Sequence, residues 1–547
     1  MLYMDNSKRF KDPIYGYIEI NNDYVSNIID TPEFQRLRRI VQTSYSPLYS
    51  ASIHNRFIHS MGVFHLGKIA ANSIINSISS RDIKIPESID IKNIEKTFLL
   101  ACLLHDVGHA PFSHTGERFY LTDDEKYEEL HKKLIESVKS ERLKNDIPED
   151  SKSAAPHEIM SAIVALNKYS EYFCDDFQRE FFARCIIGYK YKILNDGEKG
   201  KVSFLNCFIS CLNSKVIDVD RLDYLIRDAY FSGFETINID YTRLLTSLVI
   251  DYNEEHDEYN LCYLKNAISI IENVVYAHDA ERKWIQTHPI VLYDMYIIQH
   301  IMNYLNFELS SSENKLFSYN SLSIEGINLK NGIKVSLLCD DDIIYLLKSL
   351  NRDELCDEYF FRNKRHHALW KSEAEFNAYL LVEYGKGNAY KGLLEALNET
   401  ANYIRTNSDS GIINDSVIDK IQEELKSIEE QGCKIKSSTT LIKQKKAKND
   451  ILKVLNCLKQ FSSENKSAFD FIILGANQFY SGFNKDDFEK IKILFPESNK
   501  LYNFGDVIST LGSNNESEKF YYLYYKGTDG AKLNRIELCK KLYQAFM

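Results

Sequence analysis

The chain has 547 residues, 44% hydrophobic and 27% charged, an ordinary balance for a globular protein with room for a sizeable core and more than one structural unit. Nine prolines and 22 glycines are few for that length, which favours helices over a turn-rich β architecture. A net charge of −11 argues against sequence-independent nucleic-acid binding across the whole surface, and no run of about eighteen apolar residues is present to span a membrane. The eleven cysteines contain no C-x-x-C pair, and Met1–Phe10 is polar and basic, unlike a secretory leader. Reduced thiols and a cytoplasmic location are the expectation.

In chain order, residues 12–20 alternate and predict a short strand or hairpin arm. At Asp30-Thr31-Pro32 a cap and a first-turn proline open a basic amphipathic helix through Ile40. The plain reading of its Arg36, Arg38 and Arg39 is a solvated face. His54-Asn55-Arg56-Phe57-Ile58-His59 leads into a helix through Ile75. The aliphatic run Phe98–Leu104 predicts a buried helix that delivers His105-Asp106 to its C-terminal end, where Gly108 and Pro111 break it. A buried His-Asp pair is costly unless satisfied, and a divalent metal suits both groups. Two residues cannot complete a coordination shell, so the rest of the chain must supply more ligands.

Residues 122–153 read as charged and helical, with a loop from Ile147 to Pro156, and His157-Glu158 opens another apolar helix. In Asp218–Tyr230, Leu222, Leu225, Ile226 and Ala229 form an apolar stripe, while Asp220, Tyr224, Arg227 and Asp228 share another side. Two readings stand: a salt-bridged surface helix with Asp223 and Arg227 paired, or a cavity-facing stripe. Residues 262–309 continue as helices, and Ser310–Asn314 is a plausible boundary. Asp340-Asp341-Asp342 starts a further helix. Residues 415–461 form a long charged helical segment whose Lys443–Lys448 cluster reads as a solvated face. A strand at Phe520–Tyr525 and a final helix close the chain.

Five segments occur in an order that carries a resemblance: Asp12-Pro13-Ile14; Asp30–Arg38; Arg56-Phe57-Ile58-His59-Ser60-Met61-Gly62-Val63; Leu104–His114; and Asp218-Val219-Asp220-Arg221-Leu222-Asp223-Tyr224. Together they resemble the HD-domain deoxynucleoside triphosphate triphosphohydrolases, in the branch of the vertebrate sterile-alpha-motif and HD-domain enzyme and its bacterial relatives. The resemblance covers residues 8–300 and fades after about 370. Tyr15 stands where the family usually has a histidine, and no sterile-alpha-motif domain is expected ahead of the core.

The resemblance implies a mainly α fold: an HD-domain helical core with small β elements over residues 1–310, then a mixed, mostly helical region over 311–547 for oligomerisation or regulation. It implies one divalent metal (Fe, Mn, Zn or Mg) held by His59, His105, Asp106 and Asp220. The mixed nitrogen and oxygen donors favour a transition metal, and additional Mg would accompany the nucleotide. The implied reaction cleaves a dNTP at the α-phosphorus to deoxynucleoside and inorganic triphosphate. Arg56 and Arg221 are then phosphate clamps, and His109, His114 and His157 line the polyphosphate. His114 is the leading general acid, and Glu158 orients a histidine or the catalytic water. Tyr224 packs on the deoxyribose, Asp228 with Gln42 takes the 3′-hydroxyl, and His288 lies near the phosphates. Asp30, Gln35 and Arg38 match an activating-nucleotide box, a box that packing alone could also preserve. A homo-oligomer, tetramer or hexamer, with nucleotide-linked assembly follows from the same likeness. By analogy, depletion of DNA precursors would serve phage defence. The competing readings are an HD phosphatase or phosphodiesterase of other substrate and a non-catalytic nucleotide sensor.

Overall fold

A computed structural model describes residues 6–44, 46–121, 126–147, 154–234, 238–385, 387–407, 413, 415–434, 439–464, 469–476, 485–498, 500–508, 520–527 and 533–547. The fold is mainly α with small sheets. No helix among the described residues is long and apolar enough to cross a membrane. The chain divides into two interleaved units: Met1–Glu281 with Ile301–Arg352 and Tyr480–Asn515, and Arg282–His300 with Asp353–Phe479 and Glu516–Met547. The boundary expected near residue 310 therefore falls inside a segment of the first unit.

The first unit begins with an antiparallel hairpin, Ser7–Asp12 on Gly16–Asn21, whose second strand is the arm expected over residues 12–20. The Asp12 carboxylate accepts from the Ile14 and Tyr15 amides at 2.8 and 3.0 Å, and Gly16 takes the left-handed φ of 78° that closes the turn. The basic segment that follows is shorter and tighter than the predicted helix. One α-turn, Pro32–Gln35, passes into a 3-10 turn, Arg36–Arg39. The reason lies in Arg36, which is buried instead of solvated. Its two terminal nitrogens donate to the carbonyls of Leu338, Val107 and His109 at 2.8, 2.8 and 3.0 Å. Removing it leaves these carbonyls without that donor in the interior. Arg36→Ala is expected to destabilise the protein by roughly 2–4 kcal/mol, read as a lower urea midpoint at constant m.

Helices build the core of this unit. Arg56–Ser80 is capped by Asn55, Ile91–Leu104 by Asp90, and Val219–Ser232 by Asp218, each through its side-chain oxygen. Phe98, Leu100, Leu103 and Leu104 are all buried, each contributing about 1.5–3 kcal/mol by leaving water. Arg56–Ser80 packs on Ile91–Leu104 and on Val219–Ser232, so the ends that carry His59, His105 and Asp220 meet. A four-stranded sheet of Leu248–Asn253, Glu258–Leu264, Lys492–Phe495 and Lys500–Asn503 flanks the helices. Residues 262–264, expected as helix, lie in this sheet.

The second unit has a three-stranded sheet in which Phe520–Gly527 lies between His367–Ala368 and Phe469–Ala476, both flanking strands unforeseen. Trp370 is fully buried and donates to the Tyr521 carbonyl at 2.9 Å. The long charged segment forms two helices, Asp415–Lys434 and Thr439–Glu464, packed through Tyr403, Ile404, Ile418, Ile421, Ile451 and Leu455. In its basic cluster, Lys446 pairs with Glu395, and Lys448 pairs with Glu424 and lies over the Tyr403 ring. That is a salt-bridged face. Parts of the loop expected over 147–156 lie outside the described residues.

Candidate active site

The aliphatic Ile91–Leu104 helix ends at His105, and the Cys102 carbonyl accepts from His105 Nδ1 at 3.0 Å. The Asp223 carboxylate accepts from His59 Nδ1 at 2.7 Å. With both Nδ1 atoms turned outward, both Nε2 atoms face inward, 3.3 Å apart. Asp220 Oδ1 lies 2.9 Å from His59 Nε2 and 3.5 Å from His105 Nε2. Asp106 completes the ring, Oδ1 at 3.5 Å from His105 Nε2 and Oδ2 at 3.6 Å from His59 Nε2. His59, His105 and Asp220 could hold a metal ion, with Asp106 alongside. Two oriented imidazoles and two carboxylates fit a divalent transition metal in donor type and number.

The electrostatics of the site suit a cation. Burial works against protonation of His59, yet Asp220 and Asp223 win and lift it to about 9. Burial likewise opposes ionisation of Asp106, but Arg56, His105 and His59 hold its carboxyl well below the usual range.

Asp223 is the residue that periodicity misassigned. It and Arg227 are indeed paired, at 2.8 and 2.9 Å, but both side chains are fully buried, so the surface-helix reading fails. Asp223 also accepts from the Tyr15 hydroxyl at 2.7 Å, and Arg227 reaches Asp12 at 3.0 Å. The N-terminal turn thus backs His59. Gly62 is required here, because a Cβ at that position would sit 1.9 Å from Asp223 Oδ1. The signal available in sequence was Asp223 standing one helical turn beyond Asp220.

A second cluster lies on the Gly108–Glu117 loop. His109 stacks on His157 with ring centroids 4.3 Å apart, and His114 meets both edge-on at 5.2 and 5.1 Å. His109 is fully buried, and neither ring nitrogen has a partner among the described residues. Glu117, absent from the sequence expectation, holds the cluster: it takes His157 Nδ1 and lies 3.5 Å from His114 Nδ1. Burial opposes a charge on His157, but Glu117 raises it to about 9, whereas His109, buried among cationic neighbours, falls well below its usual value. The His114 side chain is 58% exposed, within reach of a ligand.

Glu158 accepts from the Ala155 amide at 2.7 Å and from Asn213 at 2.9 Å, and burial pushes its carboxyl up to about 7. With His105, His157, Ile186, Leu212, Asn213 and Asp220 it lines one small pocket. Arg56 turns inward to Asp106, Ser113 and the Gln42 carbonyl, at 2.8, 2.9 and 3.3 Å. Arg221 donates to the Lys215 and Val216 carbonyls at 3.1 and 2.6 Å, on the helix that also carries Tyr224. Asp228 is buried against His54 Nε2 at 2.7 Å, and His54 stacks on Phe231; His54 was not foreseen. Gln42 is buried, its Oε1 without a partner among the described residues. His288 lies in the second unit. Gln35 and Arg38 bond each other at 2.8 Å, Arg38 covers the Phe57 ring, and Asp30 is exposed nearby in sequence.

Residues 56–171 match the HD domain family model. The chain is 30% identical over 288 residues to a protein of Dictyostelium discoideum named deoxynucleoside triphosphate triphosphohydrolase SAMHD1 homolog, covering 52% of this chain and 47% of that one. It is 32% identical over 256 residues to the chicken (Gallus gallus) protein named deoxynucleoside triphosphate triphosphohydrolase SAMHD1, covering 44% and 36%. Uncharacterized protein YwfO of Bacillus subtilis is 30% identical over 244 residues, 44% of each chain. The chain thus spans about half the length, or less, of these relatives. A hypothetical protein from Aquifex aeolicus shares the fold with a TM-score of 0.51 and 17% identity, over 99% of this chain and 100% of that one.

Proposed function

We propose that this chain, which belongs to the HD-domain triphosphohydrolase-like proteins, hydrolyses deoxynucleoside triphosphates to deoxynucleoside and inorganic triphosphate. The observation that carries the reading is the adjacency of two clusters. Nε2 of His59 and His105 converges with Asp220 and Asp106, while His109, His114, His157 and Glu117 share the loop and helix beside them.

A divalent metal held by His59, His105, Asp106 and Asp220 would polarise a phosphate oxygen and lower the pKa of a bound water. Water oxygen attacks the α-phosphorus and sheds a proton to solvent, and the bond from phosphorus to the 5′-oxygen breaks. His114 is exposed toward ligand and supplies the proton to that leaving oxygen. His157, kept cationic by Glu117, faces the growing charge on the phosphate oxygens. Glu158 takes its place as an orienting group from the same pocket. On the Asp220 helix, Tyr224 packs against the sugar, and Asp228, steadied by His54, takes a sugar hydroxyl with Gln42. Activation by a second nucleotide at Asp30, Gln35 and Arg38, and assembly into a homo-oligomer, belong to the same reading.

The test is a product assay on metal-loaded protein, with each dNTP alone and then with GTP. Deoxynucleoside plus triphosphate, lost in His105→Ala, is the expected result, and a requirement for the second nucleotide would place regulation on the chain. Nucleoside monophosphate plus pyrophosphate would move the cut away from the α-phosphorus ester and overturn the proposal.

A further inference from the structure

Asp340 lies far in sequence from the HD segment, at the first turn of the Asp340–Ser349 helix, and no element of the mechanism uses it. Its side chain is buried, and both of its oxygens are aimed at the site's supporting backbone. Oδ1 accepts from the Phe112 amide at 2.6 Å, and Oδ2 accepts from the Val41 amide at 2.9 Å.

Both donors are consequential. Phe112 and Ser113 have φ of 56° and 55°, two consecutive side-chain-bearing residues in the left-handed region. Such a backbone is strained for residues that carry a Cβ, and it persists only where its surroundings impose it. This pair connects His109 to His114. Val41 immediately precedes Gln42. Ser113 ties the same two segments together, because its hydroxyl donates to the Val41 carbonyl and accepts from Arg56 Nε. Arg36 adds its bonds from Leu338, two residues before Asp340, to Val107 and His109. Neighbouring Asp341 makes an exposed pair with Arg39.

We propose that Asp340 is a positioning residue: its carboxylate joins the Phe112 and Val41 amides and so holds the strained turn between His109 and His114 against the backbone at Val41, next to Gln42. The inference rests on the reading that this turn faces the substrate. Among the described residues Asp340 bonds to none of the proposed metal ligands, so it acts on turnover and not on metal retention. A carboxylate is required because one group must accept from two converging amides; an asparagine offers one acceptor and would turn an amide donor toward the other N–H.

The experiment compares the full chain with Asp340→Asn, Asp340→Ala and the control Asp341→Asn. It reads metal content, amide hydrogen exchange by peptide, and kcat and KM on the best dNTP. Expected for both Asp340 variants is wild-type metal content, exchange at least about tenfold faster over residues 38–44 and 107–115, and unchanged protection over 91–104. kcat is expected to fall on the order of a hundredfold with little change in KM, and Asp341→Asn to behave as wild type. Wild-type exchange in both segments for Asp340→Asn and Asp340→Ala would overturn the inference. So would a global loss of protection that includes 91–104, since Asp340 would then be a core residue and not a local positioner. Should the wild type cleave no dNTP, the exchange data still decide the role of Asp340, so the two readings fail separately.

Discussion

Asp220→Ala is expected to lower turnover on the order of a thousandfold or more and to yield protein that retains little metal after dialysis. Asp220 Oδ1 approaches both inward-facing imidazole nitrogens, so its loss removes the carboxylate that bridges the two histidines. The fold should persist. The Asp220 side chain is 37% exposed, and its helix is capped by Asp218 and ended by Gly233 in the left-handed conformation, independently of Asp220. Circular dichroism and the urea midpoint should therefore stay close to wild type while metal content, measured by plasma emission, collapses. Full metal retention with full turnover would remove Asp220 from the site.

Arg227→Met is expected to act in the opposite manner, on the fold first. The guanidinium is fully buried between Asp223 and Asp12, and a methionine of similar length leaves both carboxylates in the interior without their cation. Breaking a buried pair from one side costs about 3–5 kcal/mol. Because Asp223 also holds His59, metal affinity should fall about ten- to a hundredfold as well. The pH dependence follows with a definite sign. Burial tends to raise the Asp223 carboxyl, but Arg227 and His59 outweigh it and hold it at about 2, below its ordinary 3.8. A depressed carboxyl stabilises the fold above its ordinary value, and that contribution is lost as pH falls from about 4 to about 2. Arg227→Met should flatten this acid limb in urea titrations. A variant less than about 1 kcal/mol weaker than wild type, with an unaltered limb, would show that water replaces the guanidinium.

Much of the candidate site is legible in the sequence. His105-Asp106 stood at the end of an aliphatic run, and a buried helix end carrying a His-Asp pair demands partners. His59 and Asp220 came from ordered motifs, and the structure brings them to bonding distance of each other and of His105. The apolar stripe of Leu222, Leu225 and Ala229 is buried as its spacing required. What periodicity could not decide was which charged groups turn inward. Arg36, Asp223 and Arg227 carry the same charges as any solvated helix face. They are buried because partners far away in sequence, at Leu338, Tyr15 and Asp12, complete their bonds.

The local sequence determined the elements and their ends: caps at Asn55, Asp90 and Asp218, the closure of the hairpin at Gly16, and the helical character of nearly everything between, because each depends on residues within one turn. Only tertiary structure decided the two interleaved units, the insertion of Lys492–Phe495 beside Glu258–Leu264, and the clamp of Asp340 on Val41 and Phe112. These pairings join residues hundreds of positions apart through backbone amides and carbonyls. Every residue type except proline offers that amide, so no pattern of side chains announces which ones will be used.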